Sequence, residues 1–150
     1  TSDVEILRDN YKLPGMKILQ FAFDGNEKNP YLPKNIKGNN WVVYTGTHDN
    51  MTSISWWESL EDHIKTFLRN NHNFSEDPSW NLIEIGMRTK ANLFISPIQD
   101  VLSLDDSCRL NTPGTTIKNW RWKMHQPLEE IEQNLKKYSE LGKKYGRVRY

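Results

Sequence analysis

Cysteine is almost missing from these 150 residues: Cys108 stands alone, so no internal disulfide can form. That fits a reducing compartment without requiring one. Apolar runs are short, none approaching the ~20 residues of a membrane span. An excess of charge is also missing, since 20 basic side chains face 19 acidic ones. Nothing in that balance suggests a basic groove for nucleic acid or a polybasic patch for a membrane surface. There is no glycine-rich phosphate loop and no G-x-S-x-G elbow. His48, His63 and His72 share no ligand spacing, and no Cys or Glu cluster joins them, so no metal site is expected. Repeats and low-complexity tracts are absent. No signal peptide is visible, but the chain opens at Thr1 rather than Met, so that silence says little about targeting.

What is present is a chain rich in aromatics, with six tryptophans. Its length allows one real core, burying roughly 70% of the unfolded surface. It falls short of a closed (β/α)8 barrel, which needs ~250 residues. Ser2 and Glu5 have capping-box spacing, so Asp3 to about Asn10 reads as a short helix. After the Leu13-Pro14-Gly15 turn, Met16 to Phe23 reads as a strand buried on both faces. Asp24 to Asn40 has no period and reads as a long ordered loop, of a kind that tends to be functional. Trp41 to Thr45 is the second strand, β-branched and aromatic. A polar turn, Thr47 to Asn50, leads to a helix from Ser53 to about Asn70, with Ile54, Trp57, Ile64, Phe67 and Leu68 on one face. A further helix over 78–92 is expected to bury Trp80, Ile83, Met87 and Ala91. Leu93 to Ile98 follows as a third strand, with Gln99-Asp100 at its end. Asp105 to His125 reads as loop. A last helix opens at Pro127, with an apolar stripe of Leu128, Ile131, Leu135, Tyr138 and Leu141.

Apolar strands separated by helical crossovers imply parallel pairing with helices packed outside. In such folds function gathers at the C-terminal ends of the strands. His48-Asp49 is the sharpest pair there. Two readings of it stand at this level. Asp49 can hold a sugar hydroxyl beside a His48 donor, in contacts that strengthen as charge develops at an anomeric carbon. Alternatively, Asp49 or Asn50 caps the following helix, which spacing alone favours. Trp56, Trp57 and Trp80 lie in helical patterns and read as core, whereas Trp120 and Trp122 lie in irregular chain and suit an exposed surface. Asn29 and Asn111 sit beside proline turns, and by themselves read as local turn closures.

The motifs taken together resemble one family. Leu13-Pro14-Gly15-Met16-Lys17, Gln20-Phe21-Ala22-Phe23-Asp24, Asn29-Pro30-Tyr31-Leu32-Pro33 and Tyr44-Thr45-Gly46-Thr47-His48-Asp49-Asn50 look like the amylomaltase (4-α-glucanotransferase) signature. Pro97-Ile98-Gln99-Asp100, Asn111-Thr112-Pro113-Gly114-Thr115 and Asn119-Trp120 continue the series in the family's order. The resemblance implies an α/β fold, the C-terminal part of a (β/α)8 TIM barrel of the α-amylase-like clan, with about three strands and flanking helices in residues 1–150. It implies retaining transglycosylation of α-1,4-glucan oligosaccharides without a cofactor, in a cytoplasmic or plastid setting. It places the transition-state-stabilising aspartate at Asp49, and substrate contacts at His48, Phe21, Asn29 and Asn111. The family's nucleophilic Asp and acid/base Glu match no position in this chain. The Glu belongs to a Glu-Asp-Leu-Gly segment expected to end about where Thr1 begins, with the rest of the barrel upstream. The chain alone is therefore expected to be inactive. Two packing positions depart from the family, Leu110 for a usual Met and Ser55 for a usual Gly. The competing expectation is a non-catalytic glucan-binding module.

Overall fold

The computed structural model describes the backbone of residues 2–147 and the side chains of residues 3–147. Three short strands, β1 (Gly15–Ile18), β2 (Trp41–Tyr44) and β3 (Leu93–Ile95), form one sheet in that order. Both pairings are parallel, with Met16 opposite Val42 and Val42 opposite Leu93. The helices are α1 (Ser2–Asn10), α2 (Ser53–Ser59), α3 (Asp62–His72), α4 (Pro78–Arg88), α5 (Ile98–Val101) and α6 (Leu128–Lys144). The Ser2 side chain lies outside the described residues, and with it the expected capping box.

The helices that cross between strands cover one face of the sheet. Val43, in the central strand, is fully buried there with Leu19, Phe23, Trp56, Leu68 and Leu82. A second cluster gathers Trp80, Ile83, Met87 and Val101 against Phe94, Tyr138 and Leu141. Each large apolar side chain removed from water in this way contributes ~1.5–3 kcal/mol. Gly86 brings α4 close to β3, because a Cβ there would collide with the Phe94 ring.

Six expectations need correction. The first strand stops at Ile18, and Leu19–Phe21 turns as a 3-10 helix. The Ala22 N–H closes that turn on Leu19 O at 2.9 Å, while the Gln20 main-chain N–H still donates to Thr45 O at 3.2 Å, just past the end of β2. Nor is that strand buried on both faces, since Met16 is 55% exposed on the side away from the helices. The third strand likewise ends at Ile95, because Pro97 has no N–H to extend a ladder and instead opens α5. The single helix over 53–70 is two, broken where Leu60 and Glu61 are extended. Ser59 marks the break: its hydroxyl donates to Trp56 O at 2.7 Å, a local bond that competes with helix continuation. Trp56 is buried in the core, and Trp57 packs against it partly buried, stacked on Phe74. Helix α4 ends at Arg88, four residues early, though Trp80, Ile83, Met87 and Ala91 are all buried as expected. On α6 the stripe is only half used, for Tyr138 and Leu141 pack while Leu128 and Leu135 are exposed.

Candidate functional site

The end of β2 delivers the chain into the turn from Thr45 to Thr52, and this turn forms much of the wall of a cavity of about 510 Å³. Gly46 is required at its start. A Cβ there would lie 2.7 Å from the Gln20 amide nitrogen, which reaches past it to donate to Met51 O at 2.9 Å. Asn50 closes the turn on itself, accepting from the Thr47 N–H at 2.9 Å and from the Thr47 hydroxyl at 2.7 Å. Neither Asp49 nor Asn50 caps α2. Thr52 does so, accepting from the Ser55 N–H at 3.4 Å. The capping account of Asp49, favoured by spacing alone, therefore fails.

Asp49 is left half-exposed at the rim. Its Oδ1 accepts from Asn111 Nδ2 at 2.6 Å, and His48 Nε2 lies 3.3 Å away. Among the described residues no donor takes its Oδ2. His48 is half-exposed too, and its ring leans on Trp120 at 4.9 Å between centroids. Trp120 is 62% exposed and holds a positive φ of 59°, a backbone region that bulky residues rarely adopt. Strained, exposed aromatics of this kind cluster at functional sites.

The structure thus brings three of the five candidate residues together: His48, Asp49 and Asn111. Asn111 does not close its own turn; Asn119 does that, accepting from the Thr112 N–H at 3.0 Å. Phe21 and Asn29 do not line this cavity. Phe21 is exposed at the neighbouring strand end, edge-on to Tyr31. Asn29 is 5% exposed, and its amide stays within the loop, donating to Phe21 O at 2.7 Å and accepting from the Tyr31 N–H at 2.8 Å.

Beneath the turn lie Asp100, at the strand end already noted, and the unmarked Asp106 and Arg109. Asp100 is 1% exposed; it accepts from the Thr45 hydroxyl at 2.5 Å and from the Ser53 N–H at 2.8 Å. One carboxyl therefore ties the two ends of the turn together. Burial raises its pKa, and these hydrogen bonds oppose the shift. Asp106 accepts from the Thr52 N–H at 2.7 Å and pairs with Arg109 at 3.2 Å. Arg109 in turn donates to Asp49 O at 2.6 Å. Gln99-Asp100 had drawn notice as a strand end, but nothing in the sequence marks Arg109 or Asp106, since their partners lie some fifty to sixty residues away. Among the described residues no group of three or more His, Cys, Asp or Glu side chains is placed to hold a metal ion. No helix there is long and apolar enough to cross a membrane.

A half-exposed carboxylate at a parallel strand end, with sequence motifs around it, invites comparison with known proteins. The family model described as 4-alpha-glucanotransferase matches residues 1–129. The chain belongs to the 4-alpha-glucanotransferase family. It is 45% identical over 127 residues to the 4-alpha-glucanotransferase of Synechocystis sp., covering 83% of this chain and 25% of that protein. It is 38% identical over 152 residues to the chloroplastic/amyloplastic 4-alpha-glucanotransferase of Arabidopsis thaliana, covering 99% and 26% respectively. Among solved structures, an amylomaltase from Streptococcus agalactiae in complex with acarbose superposes with a TM-score of 0.90 at 27% identity. That match covers 99% of this chain and 30% of the other. The chain thus spans about a quarter of the length of these curated relatives.

Proposed function

We propose that these residues supply part of the glucan-binding cleft, and one of the three catalytic carboxylates, of a retaining 4-α-glucanotransferase built on a (β/α)8 barrel. The observation that carries this reading is Asp49. It stands at the C-terminal end of the central strand, its Oδ1 held by Asn111 with His48 close by, and its Oδ2 without a donor among the described residues. A carboxylate steered from one side presents the other oxygen to a sugar hydroxyl. As the transferring glucosyl ring gains oxocarbenium character its hydroxyls become more acidic, and hydrogen bonds to a fixed anion strengthen in the transition state. His48 contributes a second donor, and the Trp120 ring beside it offers a face for a glucose ring. Phe21 lines the donor side of the cleft from the adjacent strand end, and Asn29 acts by holding the Phe21 main chain. Asn111 acts through Asp49 as well as by any direct contact with glucan.

Bond exchange needs a nucleophile and an acid/base about 5 Å apart across the glycosidic bond. The family's residues for those roles match nothing among these 150, so this stretch by itself does not catalyse transfer. The chemistry needs no metal or organic cofactor, since carboxylates supply nucleophile, acid and charge stabilisation. The acarbose bound to the Streptococcus agalactiae amylomaltase supports a glucan-like ligand. A cytoplasmic or plastid location accords with bacterial and plastid relatives.

The test is product analysis on the complete protein with maltotriose. Glucose plus a ladder of longer maltodextrins is expected. Glucose and maltose accumulating with no longer products would replace transfer by hydrolysis.

A further inference from the structure

We propose that Arg109 is a positioning residue for the transfer reaction, setting the spacing between Asp49 and Asn111. The proposal rests on the reading of Asp49 as the transition-state carboxylate. The geometry is specific to a guanidinium. Nη2 donates to Asp49 O at 2.6 Å, and Nε donates to Asn111 O at 2.8 Å. The same two residues are joined a second time by side chains, Asn111 Nδ2 to Asp49 Oδ1 at 2.6 Å. Arg109 therefore closes a ring: main chain of Asp49, guanidinium, main chain of Asn111, amide, carboxylate. The third edge of the fork is fixed by Asp106, which pairs with Nη1 at 3.2 Å. Asp106 is itself anchored to the helix that follows the turn, accepting from the Thr52 N–H at 2.7 Å and donating its own N–H to Ser55 Oγ at 2.9 Å.

Three acceptors in three directions suit a planar fork with five donors and do not suit the point charge of lysine. The pair is mostly shielded from water, the Arg109 side chain being 18% exposed and Asp106 28%. Helix packing supplies nothing equivalent, because the turn from Thr47 to Asn50 and the segment around Asn111 both lie outside regular elements. Without Arg109 the Asn111 amide has only its own loop to place it. The Asp49 carboxylate then loses its preset orientation, and misplacement by about 1 Å costs roughly a hundredfold in rate.

The experiment compares Arg109→Met, Arg109→Lys, Asn111→Ala, the Arg109→Met/Asn111→Ala pair and Asp49→Asn in the complete enzyme. It reads kcat and KM for maltotriose transfer together with Tm. Arg109→Met is expected to lower kcat by roughly ten- to a hundredfold with KM little changed, and Arg109→Lys to recover only a small part. The double variant should lose no more than the worse single one, as residues acting as a unit do. Losses that multiply in the double variant, or activity per folded molecule restored to wild type, would overturn the positioning role. So would a rise in KM at unchanged kcat, which marks Arg109 as a direct glucan contact. If Asp49→Asn keeps wild-type turnover, the reading of the site falls and the Arg109 role with it. If Asp49→Asn is inactive while Arg109→Met keeps wild-type kcat, only the Arg109 role falls.

Discussion

Two loops follow two adjacent strands of this sheet, and they are held in opposite ways. The long loop after β1 is stabilised from within. Asp24 accepts from the Asn26 N–H, Asn29 bonds Phe21 and Tyr31, and Asn35 donates to Glu27 O and Asn29 O, all within eight residues. The short turn after β2 is held from far away, by Asp100, Asp106, Arg109 and Asn111, over 47 to 62 residues of chain. The self-bonded loop carries an exposed aromatic, and the remotely bonded turn carries the acid. A contact that needs only a surface tolerates local support. A carboxylate with the role proposed for Asp49 needs instead to be fixed by the packed body of the fold.

The contrast predicts a hierarchy of effects. Asp49→Asn strikes the chemistry itself and should raise the transfer barrier by about 3 kcal/mol or more while moving Tm little, checked by kcat and thermal unfolding of the complete enzyme. Asp100→Ala strikes the remote bracing. It strands the Thr45 hydroxyl and the Ser53 N–H in the interior and should cost about 2–3 kcal/mol of stability in denaturant titration, with turnover falling too. Asn29→Ala strikes local bracing. It should cost about 1–2 kcal/mol, seen as faster hydrogen exchange confined to residues 21–35, with kcat largely kept. An equal loss of turnover for Asn29→Ala and Asp100→Ala would erase the distinction between the two loops.

The smallest effect is one of pH. Because burial raises the Asp100 pKa, the folded state holds a proton that the unfolded chain releases just above the ordinary carboxylate value. This group's contribution to stability therefore falls as pH rises from that ordinary value through the raised one. Glu84 runs the other way. Its pKa is lowered by the Tyr145 hydroxyl and by Lys144, so the stability it adds is present above the ordinary value and is lost as pH falls through the lowered one. Asp100→Asn should remove the first dependence and leave the second, in unfolding curves taken across the acid range.

The same contrast explains what could be read in the sequence. Parallel strands, helical crossovers and the burial of Trp80, Ile83, Met87 and Ala91 were legible because they follow from period and composition. So was the Asn29 turn, whose partners are its neighbours. Asp49 stood out by its motif, yet its likeliest local role by spacing, a helix cap, belongs to Thr52. The break at Ser59 depends on one hydroxyl choosing a carbonyl, the early end of β1 on a turn closed by a single main-chain bond, and that of β3 on Pro97. Arg109 and Asp106 were invisible, since a lone ion pair three residues apart in a polar loop is an ordinary surface feature until the fold brings Asp49 to it.

The bracing of the Asp49 turn also sets when it can form. Its bonds join positions that meet only after the crossover through α2, α3 and α4 has closed and β3 has paired with β2. Closing so long a stretch costs entropy before any of those contacts returns it. The hydrogen bonds within the loop after β1 have no such wait, although its Phe23 and Leu32 pack into the core only with the distant helices. On a nascent or refolding chain the aromatic wall therefore takes shape early, and the acid acquires its orientation among the last events. A partly folded molecule of this kind has its exposed aromatic in place before its carboxylate.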